Sequence, residues 1–315
     1  MAIAIIGAGI AGLSCATRLQ AAGQAVTLFD KGRAPGGRMS TRSIATAAGV
    51  FSFDHGAQYL TARDPEFLRV INDWQAHDVV SPWPAAGASA WVGTPSMSAI
   101  VRHLATQLDV RWNFRIDSID RSHAGWQLNP HMDSCYDSVV VAVPAEQAAP
   151  LLAPHDAAMA SEALACRSAP CWTAMLAFDV PLRTQCDIFR DAGIIGWAAR
   201  NAAKPGRSAA ETWVIQATPD WSNAHLEDTA DVVIEKLADA LAEHVAGPLP
   251  QPIVRIAHRW RYARVAATDL GSLWNADERL GAAGDWLLGA RVESAWLSGR
   301  ELAGRILEEH RLGRE

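Results

Sequence analysis

The stretch from Ala2 to Arg38 constrains the fold of this chain more than any other part of it. It contains an apolar run, a glycine-rich turn, an Ala/Leu-rich segment and a second apolar run that ends in Asp30. Gly7, Gly9 and Gly12 have the spacing G-x-G-x-x-G, directly after the first apolar run and directly before the helical segment. This order predicts a strand, a tight turn, a helix and a second strand, which is the context that makes the glycine spacing informative.

The glycine turn predicts a binding site for a dinucleotide. Gly7 would let the chain turn tightly out of the strand, Gly9 would let the backbone approach a pyrophosphate, and Gly12 would let the helix pack closely on the sheet. The helix that begins near Ile10 would direct its free N–H groups at the phosphates. Asp30 would accept hydrogen bonds from the ribose hydroxyls of the adenosine half, which favours a free ribose over a 2′-phosphate. The alternative is a glycine-rich turn that binds no ligand.

A second glycine loop follows the second strand. Lys31, Arg33 and Arg38 flank Gly36 and Gly37, so positive charge and free amides lie close to the same phosphates. An NAD dehydrogenase has no reason to place such a loop here. The sequence DKGRAPGGRMS resembles the signature of FAD enzymes related to monoamine oxidase, in which the arginine and the glycine amides hold the pyrophosphate. The alternative is a solvated basic loop.

Composition limits the remaining possibilities. The chain has 315 residues, half of them hydrophobic, and can bury one large core or two connected ones. A formal net charge of −6 argues against a nucleic-acid surface and a polybasic membrane patch. No two of the five cysteines have the C-x-x-C spacing, so we predict neither a disulfide framework nor a zinc or other metal site. We expect no signal peptide, no membrane span and a reduced, cytoplasmic location, because the first strand begins beside Met1 and no apolar run is long enough.

The first part of the chain predicts a Rossmann-type half with an insertion. Asp64 before Pro65 indicates the N-cap of a helix that runs to about His77, and residues 81–93 indicate a loop or an irregular hairpin. The alternating segments over residues 110–129 are predicted as a β-meander. It is inserted before SVVVAVP, whose continuous β-branched run indicates a buried parallel strand of the first sheet.

The pattern changes from residue 171 onward to long alternating or aromatic strands, which predict a mixed or antiparallel sheet. One amphipathic helix from Leu226 to Ala246 is predicted to cover this sheet with Val232, Val233, Leu237, Leu241 and Val245. Residues 202–210 are predicted to form a surface loop. The last segment returns to the first domain as a short strand, a turn at Gly284-Asp285 and a helix that begins near Arg291-Val292.

The predicted fold class is therefore α/β, with two domains. A Rossmann-type FAD-binding domain with a β-meander insertion would comprise residues 1–64, 92–165 and 266–315. A second, substrate domain with a mixed or antiparallel sheet and covering helices, amine-oxidase-like in architecture, would comprise residues 65–91 and 166–265.

The segments together resemble a renalase-type flavoprotein of the bacterial branch, within the amine-oxidase superfamily. IAIIGAGIAGLS, LFDKGRAPGGRMS, GAQYLTARD, WVGTPSMSAI, AHRWRYAR and GDWLLGARVESAWLSG occur in this order over essentially the whole chain. The resemblance implies a non-covalently held FAD and a substrate domain over the flavin ring. It also implies oxidation of the isomers of reduced NAD(P) that carry hydride at position 2 or 6 of the pyridine. The flavin would pass two electrons to O2, which yields NAD(P)+ and hydrogen peroxide.

Three features of the sequence agree with this chemistry. No second G-x-G-x-x-G occurs, so a nicotinamide would reach the flavin through the substrate pocket itself. No cysteine follows Cys186, so the C-terminal segment offers no thiol for the covalent flavin link of monoamine oxidases. The flavin amine oxidases resemble one another in a substrate-domain lysine that holds a water at flavin N5, and Lys204, in a loop, is the only candidate off the long helix. We nominate no catalytic acid or base, because a dihydropyridine becomes aromatic as it gives up hydride.

The matching segments imply two sets of site residues. Those expected to contact FAD are Gly7, Gly9, Ile10, Gly12, Phe29, Asp30, Lys31, Gly37, Arg38, Ala57, Gln58, Ile116, Asp285, Arg291 and Val292. Those expected to face the substrate are Tyr59, Leu60, Thr61, Ala62, Arg63, Cys171, His258, Trp260 and Arg291. Within these sets, Asp285 matches the family's ribityl-binding acid, and the Val292 amide would lie near flavin N1 and O2.

Some roles have alternatives. His258 is equally consistent with a satisfied core histidine, and Arg63 and Arg291 with surface salt bridges. The chain departs from the family at His55, where a methionine is common, and in a short stretch before Trp91.

Other functions stay open as well: a flavin amine oxidase or desaturase on the same scaffold, or a binding protein without turnover, as in the GDP-dissociation inhibitors. The preferred isomer, NAD against NADP, and the oligomeric state are not determined by the sequence.

Overall fold

The predicted strand, turn and helix form the start of the fold. In the computed structural model, which describes residues 1–129 and 134–312, β1 (Ala2–Ile6) leads into α1 (Ile10–Ala21) and β2 (Ala25–Asp30). Ile3, Ala4 and Ile5 of β1 are fully buried, as a central strand with helices on both faces requires. The motif therefore has the βαβ context on which its interpretation depends.

The remaining elements follow in chain order. The strands are β3 (Thr41–Thr46), β4 (Gly49–Asp54), β5 (Leu60–Thr61), β6 (Val80–Pro82), β7 (Ala90–Gly93), β8 (Asp109–Trp112), β9 (Ile119–Ser122), β10 (Gly125–Leu128), β11 (Ser138–Val141), β12 (Ser168–Phe178), β13 (Ile188–Ala192), β14 (Ile195–Arg200), β15 (Glu211–Ala217), β16 (Val254–Val265), β17 (Leu273–Asn275) and β18 (Leu280–Ala282). The helices are α2 (Pro65–Ala76), α3 (Ser98–Ala105), α4 (Ala145–Leu152), α5 (Ala157–Ala165), α6 (Pro219–Ala224), α7 (Ala230–Ala242) and α8 (Val292–Leu312).

The main sheet has six strands in the order β17-β18-β11-β1-β2-β8. All neighbouring pairs are parallel except β17 with β18, which is antiparallel at one edge. The predicted buried parallel strand is β11, which pairs with β1 from Ile3 opposite Ser138 to Ile6 opposite Val141. The Rossmann-type domain predicted from the sequence is confirmed.

The inserted segment is smaller than the sequence pattern indicated. Its first part is β8, which pairs in parallel with β2 and belongs to the main sheet. The chain then turns at Asn113, which has a positive φ of 58°. Among the described residues of the segment, only β9 and β10 form an antiparallel hairpin, which a bridge from Trp126 to Tyr136 extends. An alternating pattern cannot distinguish an edge strand of a parallel sheet from a strand of a meander, because both have one exposed face.

The last helix packs directly on the first. Gly299 of α8 lies against the backbone of Ala11 in α1, and a Cβ at position 299 would approach the Ala11 carbonyl oxygen to 2.1 Å. The Ser14 hydroxyl donates to the Trp296 carbonyl at 2.7 Å. The helical spacing of Val292, Ala295, Trp296, Gly299, Ala303 and Ile306 predicts that they share the inner face of α8. All of them are buried except Val292, which is half-buried.

The second sheet has five antiparallel strands in the order β13-β14-β15-β12-β16. Helix α7 packs on one face, and the hairpin of β3 and β4 packs on the other, where Phe51 and Phe53 contact Met175 and Val214. The predicted antiparallel sheet with a covering helix is therefore confirmed.

The covering helix differs from its prediction in length and face. It begins at Ala230, after a separate short helix, because the His225 ring and the Asp228 carboxylate pair at 2.8 Å in the turn between them. Val232 is 39% exposed, so its predicted place on the inner face is wrong, and Ile234 is buried instead. The spacing 233, 234, 237 and 241 keeps one stripe of the helix on the sheet.

The segment after the glycine loops connects the two sheets. Asp64 caps α2, accepting from the backbone N–H groups of Glu66 and Phe67 as predicted. Phe67 of α2 packs on Trp296 of α8, with ring centroids 5.1 Å apart, whereas Trp83 of the β6–β7 hairpin contacts Trp197 of the second sheet. The boundaries of the two domains stay a prediction.

Within residues 1–129 and 134–312 no helix combines the length and apolarity that crossing a bilayer demands.

Candidate functional site

The N-terminus of α1 lies open at the carboxyl edge of the main sheet. Gly7 has a φ of +103°, and a Cβ there would lie 2.4 Å from the Ala142 carbonyl oxygen. A Cβ at Gly12 would lie 2.0 Å from the Gly7 oxygen, whereas a Cβ at Gly9 would meet no atom within 4 Å. Within the described part of the chain no side chain caps the helix, and its first turn has no acidic residue. Gly7 and Gly12 thus permit close packing, and Gly9 leaves space in front of free N–H groups and a positive dipole end.

Asp30 joins the two glycine loops. Its Oδ2 accepts the Ala8 N–H at 2.7 Å, and its Oδ1 accepts the Gly32 N–H at 2.7 Å. The carboxylate therefore shapes both loops and keeps lone pairs for further donors, since each carboxylate oxygen can accept more than one hydrogen bond.

The second glycine loop lies beside the first. Gly37 has a φ of +51°, and a Cβ there would be 3.8 Å from the Cα of Gly9. The loop ends in a single 3-10 turn over Gly37–Met39. Two backbone segments rich in free amides therefore line the same space, as expected for an anion site.

Arg38 and Asp285 form a bidentate ion pair across this space. The two guanidinium nitrogens donate to the two carboxylate oxygens at 2.7 and 2.6 Å. Asp285 is buried in the turn between β18 and α8. The pair brings together two predicted cofactor residues from opposite ends of the chain.

The start of α8 is organised by Glu293, which the sequence analysis did not single out. Its buried carboxylate accepts the backbone N–H groups of Arg63 and Asp64 at 2.6 and 2.7 Å, and Arg291 at 2.7 Å. Arg291 is thus paired with Glu293, while Arg63 is attached to the helix through its backbone only. Glu293 stands in the first turn of a helix, where an acidic side chain is favoured, but that signal alone does not indicate a partner.

The segment 55–59 passes behind the second glycine loop. A Cβ at Gly56 would lie 2.1 Å from the Arg38 carbonyl oxygen, and the Ala57 N–H donates to that oxygen at 2.8 Å. The Gln58 side chain points away from the loops: its amide donates to the Asp54 and Gly56 carbonyls at 2.5 and 3.0 Å. Ala57 therefore lies at the predicted site, and Gln58 supports the segment from behind.

The second sheet presents an aromatic wall to this segment. His258 and Trp260 contact each other with ring centroids 4.3 Å apart, and both contact His55, at 5.2 and 5.1 Å. Cys171 lies opposite Trp260 on the neighbouring strand β12. Two residues apart on one strand, His258 and Trp260 are predicted to share a face, and they do so at the junction of the two sheets rather than in a core.

The titrating groups of this wall are held neutral. Burial lowers the pKa of His258, and the charge of Arg42 lowers it further. Burial, with the charges of His258 and Arg42, lowers the pKa of His55 to about 4. Burial raises the pKa of Cys171 to about 11, so it is a thiol at neutral pH.

Several predicted site residues point elsewhere. The side chains of Phe29 and Ile116 are buried in the core beside the main sheet, where Phe29 packs on Phe114 and Tyr136. Leu60 and Ala62 are buried in the core around α1 and α8, because alternate residues of an extended segment face opposite sides. Their predicted side-chain contacts with cofactor or substrate are not supported by this placement.

The remaining predicted residues keep access to the site or its margin. Tyr59 is half-buried and packs on Trp197 at 5.3 Å, and Thr61 is half-buried in β5. Lys31 donates to Gln147 Oε1 at 3.0 Å at the outer side of the loop. Val292, the first residue of α8, is half-buried. Ile10, the first residue of α1, is the exception, because its side chain is buried in the same core as Leu60 and Ala62.

The predicted surface loop at 202–210 is a loop with Gly206, Ser208 and Ala209 exposed, but the side chains of Lys204 and Arg207 are buried, which the sequence did not indicate. Lys204 is 2% exposed and donates to Gln58 Oε1 at 3.0 Å and to Asp54 Oδ2 at 3.4 Å. Arg207 donates to the same Asp54 oxygen at 3.1 and 2.6 Å. Charged residues are seldom fully buried without a partner, and this partner lies 150 positions away in the sequence. The loop fastens the second sheet to the segment that leads to the site.

Burial and charge oppose each other in this cluster. Burial alone would raise the pKa of Asp54, but the charges of Lys204 and Arg207 lower it to about 2. Burial lowers the pKa of Lys204 to about 8, although Asp54 favours its charged form. The Lys204 ammonium also lies 5.5 Å from the centre of the Trp83 ring. The contacts of Lys204 are therefore with Asp54, Gln58 and Trp83.

Comparison with known proteins agrees with this architecture. Residues 5–74 match the model of an NAD(P)-binding Rossmann-like domain, and residues 85–307 match that of a flavin containing amine oxidoreductase. The chain is 23% identical to renalase of Mus musculus over 296 residues, 84% of this chain and 86% of the relative.

Solved structures share the fold. Cyclohexylamine oxidase from Brevibacterium oxydans IH-35A has a TM-score of 0.70 at 14% identity, covering 98% of this chain and 99% of that chain. Wild-type putrescine oxidase bound to putrescine has a TM-score of 0.65 at 14% identity, with 98% and 99% covered. The α/β fold predicted from the sequence is confirmed, and because one family model matches well over half of its length, the chain belongs to the family of flavin containing amine oxidoreductases.

Proposed function

We propose that this chain is an FAD-dependent oxidase of isomeric reduced nicotinamides, namely 2-dihydro-NAD(P), 6-dihydro-NAD(P) or both. In this reaction the substrate gives up one hydride and becomes NAD(P)+. The two electrons and the hydrogen of that hydride, together with one proton, convert O2 to hydrogen peroxide. When bound, the flavin would supply the two-electron acceptor between the two half-reactions.

The donor set around α1 fits FAD. The space at Gly9 and the uncapped N–H groups of α1 would receive the pyrophosphate. Asp30 would bind the ribose hydroxyls with its remaining lone pairs, and Asp285 would bind the ribityl chain. Arg38, fixed by Asp285, would place positive charge beside the phosphates.

A non-covalent cofactor agrees with the state of the thiol of Cys166, which is close to the Arg38–Asp285 pair. Cys166 is buried and lies within the electrostatic influence of Arg38 and Asp285. Burial, with the charge of Glu146, raises the pKa of Cys166, and a protonated buried thiol is unreactive. We expect the flavin to be released intact when the protein is denatured.

The start of α8 would favour negative charge on the reduced ring. Val292 is the first residue of that helix, so its N–H is among those without an intrahelical partner. A positive helix end acts where charge develops and needs no rearrangement during the reaction. The Arg291–Glu293 pair keeps this end neutral in side-chain charge.

The observation that carries the proposal is the neutral aromatic wall beside the segment 55–59. His258, Trp260 and Cys171 offer surfaces for a planar ring and carry no charge at neutral pH. The three lysines of the sequence, Lys31, Lys204 and Lys236, each contact other side chains. Hydride loss from a dihydropyridine needs orientation and no strong base, so the wall suits this substrate.

The similarity to mouse renalase supports the renalase-type assignment. An amine oxidase is the second candidate, favoured by the fold similarity to cyclohexylamine oxidase and putrescine oxidase. A binding protein without turnover is less favoured, because Asp30, Arg38 and Asp285 all converge on the cleft.

An anaerobic titration distinguishes these functions. Purified protein should be yellow, and 2- or 6-dihydro-NAD(P) should bleach the flavin absorbance near stoichiometry. Ordinary 4-dihydro-NADH and primary amines such as cyclohexylamine should not. Bleaching by an amine alone would overturn the proposal in favour of the amine oxidase, and a colourless protein that takes up no added FAD would overturn both.

A further inference from the structure

His55 lies at the back of the aromatic wall. It follows β4 directly, precedes Gly56, and is 7% exposed. Its imidazole stacks on the indole of Trp260, with ring centroids 5.1 Å apart and an interplanar angle of 28°. The Nε2 atom of the ring lies 3.4 Å from the Ser40 hydroxyl.

Trp260 is attached to His55 a second time through the backbone. Its indole N–H donates to the His55 carbonyl oxygen at 2.9 Å. The segment that carries this carbonyl is fixed in turn, because Gln216 donates to the Gly56 carbonyl at 2.8 Å. Stacking and a hydrogen bond together fix both the plane and the in-plane rotation of the indole.

The strand that carries Trp260 needs such support. Among the strands of the described structure, β16 pairs only with β12 and forms the edge of the second sheet. His258, two residues earlier, stands edge-on to both other rings, at interplanar angles of 70° to Trp260 and 89° to His55. His258 and Trp260 remain partly exposed while His55 is buried, so His55 supports the two rings that can meet a ligand.

We propose that His55 is a positioning residue: it holds the indole of Trp260 in the orientation that sets how the planar pyridine ring of the substrate lies in the pocket. This inference rests on the proposed function for its substrate. The role is a matter of geometry, because a displacement of about 1 Å in the reacting groups can lower a rate about a hundredfold. Stacked aromatic pairs contribute to such rigidity beyond the area they bury.

Three variants of His55 separate a ring requirement from a packing requirement. His55→Phe keeps a flat ring of similar size, His55→Leu keeps volume without a plane, and His55→Ala removes both. The backbone carbonyl that accepts the Trp260 N–H is present in all three. His244→Ala is the matched control, because His244 stacks on Phe189 at 4.5 Å and 21°, away from the aromatic wall.

The first measurement is the rate of flavin reduction in stopped flow, with the better of the 2- and 6-dihydro-NAD isomers. We expect His55→Leu and His55→Ala to reduce the limiting rate at least tenfold at nearly unchanged flavin content. His55→Phe should stay within about threefold of wild type, since it keeps the stacking plane. His244→Ala should reduce at the wild-type rate. Equal rates in His55→Leu and wild type would overturn the proposal.

The second measurement does not depend on turnover. Fluorine NMR of protein labelled with 5-fluorotryptophan, with the Trp260 signal assigned through Trp260→Phe, reports the indole environment directly. We expect this signal to shift or broaden in His55→Leu and His55→Ala, and to keep its width in His55→Phe and His244→Ala. If no dihydronicotinamide reduces the wild type, the proposed function fails, and an unchanged Trp260 signal in His55→Ala would then still refute the positioning role.

Discussion

Arg38 and Asp285, 247 positions apart in the sequence, are joined by two hydrogen bonds of 2.7 and 2.6 Å. The pair closes the cleft between the second glycine loop and the turn before α8. Asp285→Asn should therefore lower both flavin content and the free energy of unfolding, the latter by about 1–3 kcal/mol, since it removes the charge from one partner of a largely buried hydrogen-bonded pair. Absorbance at the flavin bands and urea unfolding measure the two effects. Asp117→Asn, in the exposed pair with Arg115, is the control and should change neither.

Asp30 supplies a second test of the cleft. Asp30→Ala removes the acceptor for the Ala8 and Gly32 N–H groups, so both glycine loops lose an anchor. We expect at least tenfold weaker FAD binding, because a hydrogen bond to a charged group is worth about 1.5–3 kcal/mol. Titration of flavin-depleted protein with FAD measures the dissociation constant. Asp137→Ala also removes a carboxylate that accepts a backbone N–H, from Ala2, and should leave FAD binding intact.

Alanine substitutions at Gly9 and Gly299 should affect different properties, FAD affinity in the first case and stability in the second. A methyl group at Gly9 would meet no atom of the described residues within 4 Å, so Gly9→Ala should keep the fold and lose FAD affinity by intruding on the phosphate space. A methyl group at Gly299 would collide with the Ala11 backbone, so Gly299→Ala should lower the unfolding free energy by about 1–3 kcal/mol. Thermal unfolding with flavin titration separates them. Equal FAD affinity in Gly9→Ala and wild type would contradict the assigned role of that position.

The buried ion pairs of Asp54 with Lys204 and Arg207 should make a large contribution to the free energy of unfolding. Asp54→Ala leaves Lys204 and Arg207 buried without their counter-charge, which should cost about 3–5 kcal/mol of unfolding free energy. Adding Lys204→Met should recover part of this loss, because it removes one of the uncompensated charges. Urea unfolding of the single and double variants forms the test. Strict additivity of the two changes would show that the residues act independently.

Stability should fall between pH 6.5 and pH 4 through His55. The folded-state pKa of about 4 lies below the ordinary value of 6.5, so in this window the unfolded chain binds a proton that the folded protein does not. The pKa shift corresponds to a loss of about 3 kcal/mol of unfolding free energy as pH falls through this window. The loss is recovered as pH rises back to 6.5. Urea unfolding at pH 7.5 and pH 4.5 should show a smaller difference in His55→Phe than in wild type. If the difference in His55→Phe equals that in wild type, His55 does not cause the pH dependence of stability.

The aromatic wall was only partly predictable. The spacing of His258 and Trp260 placed them on one face of a strand, and the structure confirms that they contact each other. The sequence noted His55 only as a departure from relatives, because its stacking partner lies on another sheet. Leu60 and Ala62 were assigned to the substrate side as part of a matching segment, yet alternation sends their side chains into the core.

The sequence by itself determined the features that depend on near neighbours: the strand, turn and helix around Gly7, Gly9 and Gly12, the cap at Asp64, and the buried stripe of α8. Spacing and capping act within a few residues, so they can be read from the chain directly. Only the tertiary structure decided that the Lys204 side chain is buried, that β8 joins the main sheet, and that Glu293 anchors Arg63 and Asp64. Each of these features depends on a partner that is distant in sequence. A charged side chain is buried in a stable fold only when the folded chain places its partner beside it.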